Sequence, residues 1–310
     1  MNIVTLTVNP SVDKSTTVDR LAAEQKLRCT SPQFDAGGGG INVSKALKKL
    51  GSASLAIFAA GGKSGQMLRE LVEKDGITCQ VVPIQQWTRE NFIVTDTSTN
   101  AQYRFGMPGA ALASTEIEAI FELLKNLQPI PQYLVASGSL PAGVGVDFYE
   151  KVAALANKNN IRLILDTSGA ALQAACDEGV YLLKPNLQEL GALVSVENLE
   201  TDDVDDAART LIGHGKCEIV VVSLGPNGAI LVTKDLCEYV PAPPVQKRST
   251  VGAGDSMVAG MTWALSEGKS PLEMIRWGVA CGSAATMNPG TQLFKIADAK
   301  RLHGWIERFK

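Results

Sequence analysis

This 310-residue chain has only two histidines, His214 and His303, and its six cysteines form no CxxC pair. Both histidines fall in stretches that read as surface helix and lie far apart, which argues against a zinc centre and a histidine-based triad. The scattered cysteines (Cys29, Cys79, Cys176, Cys217, Cys237 and Cys281) fit the reduced thiols of a cytosolic protein. An excess of either charge is also missing. The formal net charge is −3, so no nucleic-acid or polyanion surface is expected, and any anion site must be a local cluster. No uncharged apolar window reaches the roughly 18 residues that a membrane span needs, so no membrane partner is expected. Residues 1–6 run into a strand with no basic leader and no cleavage site, so no signal peptide is expected. The chain shows no low-complexity run, linker or repeat. Hydrophobic residues make up 45% and charged residues 20%, as in a globular protein with a large core.

Strand-like and helix-like segments alternate. Apolar strand candidates are 2–8, 54–59, 77–82, 132–136, 161–165, 180–183 and 218–223. Residues 42–50 put Val43, Ala46, Leu47 and Leu50 on one helical face, and 64–75 do the same with Met67, Leu68, Leu71 and Val72. Thr115 and Glu118 have the spacing of a capping box before Ile120, Phe121 and Leu124. The alternation predicts βαβ crossovers and a mostly parallel sheet covered on both faces, an α/β/α sandwich in one domain. Residues 14–35 and 89–106 lack a helical period and alternate like strands, so they are expected to pair outside the main sheet as a small β-lid over a cleft.

The chemistry gathers in a few short stretches. In Ser249-Thr250-Val251-Gly252-Ala253-Gly254-Asp255-Ser256, the glycines precede an amphipathic run (Met257, Val258, Met261, Thr262, Leu265), placing them at a helix start. Unpaired N–H groups and the positive end of the helix dipole would hold an anion there, with Asp255 beside it to take a proton from an attacking hydroxyl. Gly37-Gly38-Gly39-Gly40-Ile41-Asn42 suggests a main chain drawn close to a ligand, with the Asn42 amide offered to sugar hydroxyls. The dinucleotide pattern GxGxxG fails there. Gly62-Lys63-Ser64 is not a P-loop either, since its first glycine would fall at Ile57. Lys184-Pro185-Asn186 ends a strand, and Asn186 and Glu189 lie one turn apart, as suits a hydrated Mg²⁺. The turn Ser223 to Gly228 is equally compatible with a plain hairpin. Lys26, Arg89 and Arg104 sit on or beside the lid. Arg89 and Arg104 bracket one segment and are placed to reach a single phosphate by bidentate contacts. Asp13, at the end of the first strand, is placed to bind sugar hydroxyls.

Gly37 to Val43 and Ser249 to Ser256 together resemble the two signatures of the ribokinase-like sugar kinases, the PfkB group. Thr5 to Asp13, Lys26 to Thr30, Tyr103-Arg104-Phe105, Ser137 to Pro141, Lys184-Pro185-Asn186 and Val222 to Gly225 resemble its phosphosugar branch, over nearly the whole chain. The resemblance implies a ribokinase-like fold with a β-lid, a homodimer through the lids, and ATP-dependent phosphorylation of the C1 hydroxyl of fructose 6-phosphate. Asp255 would be the base, with the Gly252, Ala253 and Gly254 amides as the anion hole. ATP would lie on Lys184, Asn186, Ser223, Gly225, Pro226, Asn227, Gly228 and Ser283, and Asp166 and Glu189 would position Mg²⁺ through water. Asp13, Lys26, Gly38, Gly39, Asn42, Arg89, Arg104 and Ser139 would hold the sugar phosphate. A K⁺ site would map to Ser249, Val251, Ala285, Asn288, Gly290 and Gln292. Lys247-Arg248 departs from the family pattern and leaves the adenine contacts open. Kinases of tagatose 6-phosphate or fructose 1-phosphate, a nucleoside kinase and a non-catalytic sugar-phosphate sensor are the rival readings.

Overall fold

The computed structural model describes residues 1–308. The chain opens with β1 (Ile3–Thr7), β2 (Ser11–Val18), β3 (Gln33–Gly37), α1 (Gly39–Lys49), β4 (Leu55–Ala60), α2 (Gly62–Lys74) and β5 (Thr78–Pro83). It continues through β6 (Arg89–Asp96), β7 (Ala101–Phe105), α3 (Ser114–Lys125), β8 (Tyr133–Ser137), α4 (Phe148–Lys158), β9 (Arg162–Asp166) and α5 (Gly169–Glu178). Then follow β10 (Val180–Leu183), α6 (Leu187–Val194), α7 (Val204–Gly213), β11 (Cys217–Ser223), β12 (Ala229–Val232) and β13 (Cys237–Val240). The chain closes with α8 (Ala253–Ser266), α9 (Pro271–Thr286) and α10 (Ile296–Arg308).

Nine strands form the main sheet, in the order β13-β12-β11-β10-β9-β8-β1-β4-β5. The seven from β11 to β5 are parallel, and β12 and β13 add an antiparallel edge. Every residue of β1 and β8 is buried, as a strand covered on both faces requires. Helices α3 to α7 pack on one face, where Leu134, Leu165 and Val222 meet Ile120, Val152, Leu172 and Leu211. On the other face Val135, Ile164 and Val221 meet Val43 and Leu47 of α1, Val258 and Met261 of α8 and Ile275 of α9. In β4 the alternation divides the side chains. Ile57 and Ala59 join the first core, whereas Ala56, Phe58 and Ala60 pack with Leu68 and Val72 of α2. Chain order runs outward from β1 in both directions, so the carboxyl ends of β1 and β8 form a topological switch point, where ligands of such sheets bind.

The small sheet has the order β3-β2-β6-β7, two antiparallel pairs joined by a parallel β2–β6 contact. It begins at Ser11 rather than near residue 14, so Asp13 lies in a lid strand and not at the end of the first strand. Three other expectations need correction. Helix α3 starts at Ser114, and its entry carboxylate is Glu116, which accepts from Ala113 N–H at 2.8 Å; Thr115 and Glu118 do not form the cap. The strand β12 is the second arm of the hairpin at the turn Ser223 to Gly228, whereas the edge strand β13 had no counterpart among the expected strands. His303 is not on the surface. It is buried against Trp277 with ring centroids 4.3 Å apart, and its Nε2 meets Glu273 Oε2 at 3.1 Å and its Nδ1 Glu307 Oε2 at 3.6 Å. The two carboxylates lie at opposite ring nitrogens, and Arg276 also pairs with Glu273, so the group is a polar clamp between α9 and α10. Among the described residues, no helix is long and apolar enough to cross a membrane.

Candidate active site

Asp255 stands in the first turn of α8, behind Gly252 as N-cap. Gly252 has φ 69°, a left-handed conformation that favours glycine, and a Cβ there would meet Leu293 Cδ2 at 2.6 Å. Its carbonyl accepts the Ser256 N–H at 2.8 Å, and the Ala253 N–H reaches back to Thr250 O only at 3.4 Å. The other N–H groups of this turn have no partner within the helix, and together with the dipole they form an anion-binding end. The Asp255 carboxylate accepts from Asn42 Nδ2 at 2.8 Å, so the first turns of α1 and α8 meet at the site. Burial pushes the Asp255 carboxyl up to about 7, and the neighbouring Asp166 charge adds to this, against the Asn42 hydrogen bond and the Lys184 ammonium. A carboxyl that titrates near neutrality is suited to taking a proton.

Lys184, beyond the end of β10, pairs with Asp166 Oδ1 at 3.1 Å. Burial pulls the ammonium down, but Asp166, with Asp255 and Glu189, outweighs it and raises the pKa, so Lys184 keeps its charge. A Cβ on Gly254 would lie 3.8 Å from Lys184 Nζ, which places this cation beside the α8 amides. Asn186 caps α6: its side-chain oxygen accepts from Glu189 N–H at 2.8 Å, and Glu189 Oε2 accepts from Asn186 N–H at 2.9 Å. One oxygen each of Asp166 and Glu189 is thereby engaged, leaving the other available to the water shell of Mg²⁺.

A cleft of about 610 Å³ opens beside this point. Of the residues expected to hold ATP, Lys184, Ser223, Gly225, Pro226, Gly228 and Ser283 line it, with Gly254 and Ala253 at its inner end. Asn186 and Asn227 do not line it; the Asn227 carbonyl accepts from Tyr239 OH at 2.6 Å. Ala242, Pro243, Pro244 and Val245 supply a wall that motif reading missed, beside Lys247 and Thr250. The Pro-Pro pair directly after a strand was its available signal.

The glycine run has a cause within the fold itself. Each missing Cβ makes room for the protein itself: a Cβ on Gly37 would strike Asp13, on Gly38 Thr7 Cγ2 at 2.7 Å, on Gly39 the Ser137 hydroxyl, and on Gly40 Leu6 O at 2.7 Å. These contacts seat the start of α1 directly over the ends of β1 and β8. Asp13 lies across from it on the lid, its Oδ1 accepting from Ser11 Oγ at 2.7 Å and Asn91 Nδ2 at 2.9 Å. Asn91 was missed, although it sits opposite Asp13 in the β2–β6 register.

Strand register puts Asp13, Arg89, Asn91 and Arg104 on one face of the lid. Arg104 is exposed and donates Nε–H to Gln102 at 2.8 Å, and Lys26 is exposed on the connection between β2 and β3. Arg89 is largely engaged within the protein. Its guanidinium donates to Pro10 O at 3.4 Å, Asn9 O at 2.9 Å and Met107 O at 3.2 Å, so only two of its five N–H groups remain for a ligand. Burial lowers its pKa from the usual arginine value. Ser139 is exposed past β8, where its hydroxyl accepts from Asn9 at 3.2 Å. Of the six residues implied for K⁺, Ala285 lies in the last turn of α9 and the others on two touching loops: Ser249 Oγ donates to Gly290 O at 2.8 Å, and Asn288 N–H donates to Ala285 O at 3.1 Å.

A basic carboxyl, an anion-binding helix end and a nucleotide-sized cleft together define a site for phosphoryl transfer to a hydroxyl. The pfkB family carbohydrate kinase model matches residues 7–298, and the chain belongs to that family. ATP-dependent 6-phosphofructokinase isozyme 2 of Escherichia coli is 45% identical, over 99% of this chain and 100% of its own. A 1-phosphofructokinase of Borreliella burgdorferi is 32% identical, over 97% and 96% respectively. The crystal structure of the E. coli phosphofructokinase-2 in complex with potassium superposes with a TM-score of 0.95, at 45% identity and 99% coverage of both chains. The fold is accordingly ribokinase-like, and the chain is a carbohydrate kinase.

Proposed function

We propose that this kinase transfers the γ-phosphoryl group of ATP to the C1 hydroxyl of fructose 6-phosphate. The carrying observation is the Asp255 carboxyl, held by Asn42 and pushed up to about 7, beside the α8 amides and Lys184. Asp255 removes the C1 proton, and the Gly252, Ala253 and Gly254 amides stabilise charge on the transferring group. ATP lies in the 610 Å³ cleft, with Lys184 beside its phosphates. Asp166 and Glu189 would hold a bound Mg²⁺ through its water shell, and the ion would supply positive charge to neutralise the phosphates. Asp13, Asn42, Gly38 and Gly39 face the sugar, while Lys26, Arg104, Ser139 and the free N–H groups of Arg89 hold the phosphate already present. The much higher identity to the 6-phosphofructokinase than to the 1-phosphofructokinase supports fructose 6-phosphate as the acceptor. The chain acts as one domain with the small sheet as its lid, in the cytosol, where its six unpaired cysteines stay reduced. Lids pair two copies into a homodimer. Tyr103 and Phe105 on the edge strand β7 are 41% and 47% exposed, an apolar edge that calls for cover.

Arg104→Ala tests the phosphosugar assignment. A charged hydrogen bond contributes on the order of 1.5–3 kcal/mol, so KM for fructose 6-phosphate should rise about tenfold or more, with KM for ATP nearly unchanged. Free fructose, with no phosphate to hold, should be converted equally slowly by both proteins. An unchanged KM for fructose 6-phosphate would remove Arg104 from the site.

The loops carrying Ser249, Val251, Asn288, Gly290 and Gln292, with Ala285 at the end of α9, offer backbone and side-chain oxygens, which suits K⁺. Ser249, whose Oγ accepts the Val251 N–H at 3.2 Å, would link a bound ion to the start of α8. Activity should therefore rise when K⁺ replaces a large organic cation at equal ionic strength, and equal rates in both salts would discard the site.

A further inference from the structure

Asp13 and Asp35 lie directly opposite each other in the β2–β3 pair. Like charges in that position repel, so each needs donors from elsewhere. Asp13 has Ser11 and Asn91. Asp35 has Thr291, whose hydroxyl donates to Asp35 Oδ2 at 2.7 Å across 256 positions of sequence. Thr291 belongs to the turn after α9, so this bond fastens the lid to the body of the protein.

The chain of contacts continues from that turn towards the site. Gly290, next to Thr291, accepts the Ser249 hydroxyl at 2.8 Å, and Ser249 Oγ in turn accepts the Val251 N–H at 3.2 Å. Val251 precedes Gly252, the N-cap of α8, and the space a Cβ on Gly252 would need is filled by Leu293 of the same turn. A contiguous path thus runs from the aspartates of the lid, through Thr291, to the amides that receive the phosphoryl group.

We propose that Thr291 is a positioning residue, coupling the seating of the sugar phosphate under the lid to the placement of the Gly252–Gly254 amides. The inference rests on the kinase reading above. Lid position sets Asp35, Asp35 holds Thr291, and the turn sets the start of α8. Hydroxyl loss at Thr291 therefore acts on the sugar side and on turnover together, leaving the ATP wall formed by Pro243, Pro244 and Val245 untouched.

The test compares Thr291→Val, of nearly the same shape, with Thr291→Ser, which keeps the donor. Loss of a bond to a charged acceptor should lower kcat/KM for fructose 6-phosphate about tenfold in the valine variant, shared between kcat and KM, with KM for ATP changed less than about twofold. Serine should restore most of the loss. Asp35→Ala should show the same pattern, and the double variant Asp35→Ala/Thr291→Val should be no worse than the more affected single one, since one bond is removed in all three. Wild-type-like kinetics in Thr291→Val, a parallel rise in KM for ATP, failure of serine to rescue, or additive losses in the double variant would each overturn the proposal. Absence of fructose 6-phosphate turnover in the wild-type protein would instead overturn the fructose 6-phosphate reading beneath it.

Discussion

Asp255→Asn is expected to fold and to lose about 10²–10⁴-fold in kcat, the range for a positioned general base. Asparagine keeps the size of the side chain and an oxygen to accept the Asn42 amide hydrogen, so KM for both substrates should change little. The same variant should be more stable than the wild type at high pH. The carboxyl titrates near 7 in the folded protein against an ordinary 3.8, so the stability it contributes is full below about pH 3.8 and is lost as pH rises through 7. A shift of this size corresponds to a few kcal/mol, so the melting temperature of Asp255→Asn should exceed that of the wild type at pH 8, and the gap should close near pH 4. Retention of more than about half of the wild-type kcat would take the base role from Asp255.

The pH–rate profile carries the second large effect. A base must be unprotonated to act, so kcat/KM for fructose 6-phosphate at saturating ATP should fall about tenfold per unit below pH 7, roughly a hundredfold by pH 5. The residual activity of Asp255→Asn should lack this limb, which separates titration of the enzyme from titration of the substrate phosphate. A wild-type rate that holds steady down to about pH 5 would mean that burial does not set the carboxyl of the base.

Much of the frame was legible because it rests on local patterns. The buried runs that became β1, β8 and β11 could only be strands covered on both faces, and the alternation in 89–106 pointed to a separate sheet. The turn Ser223 to Gly228 pointed to the hairpin of β11 and β12, whereas the edge strand β13, four residues long, carries too little pattern to stand out. At the site, Gly252 to Asp255 were visible because a helix start needs special residues wherever it occurs. The Asn42–Asp255 bond, spanning 213 positions, is a product of how α1 and α8 cross, and no spacing rule encodes it. Arg89 shows the same limit. Its charge suggested a ligand, but the fold placed three backbone carbonyls within its reach. The four glycines suggested a ligand approach too, whereas the tight seat of α1 on β1 and β8 is enough to require them.

The most direct measurement is kcat/KM for fructose 6-phosphate, tagatose 6-phosphate, fructose 1-phosphate and ribose with Mg-ATP, with the product from each identified. Fructose 6-phosphate should lead the series and yield fructose 1,6-bisphosphate, with ribose far behind. A higher value for fructose 1-phosphate or ribose, or no phosphorylated product from fructose 6-phosphate, would contradict the assignment.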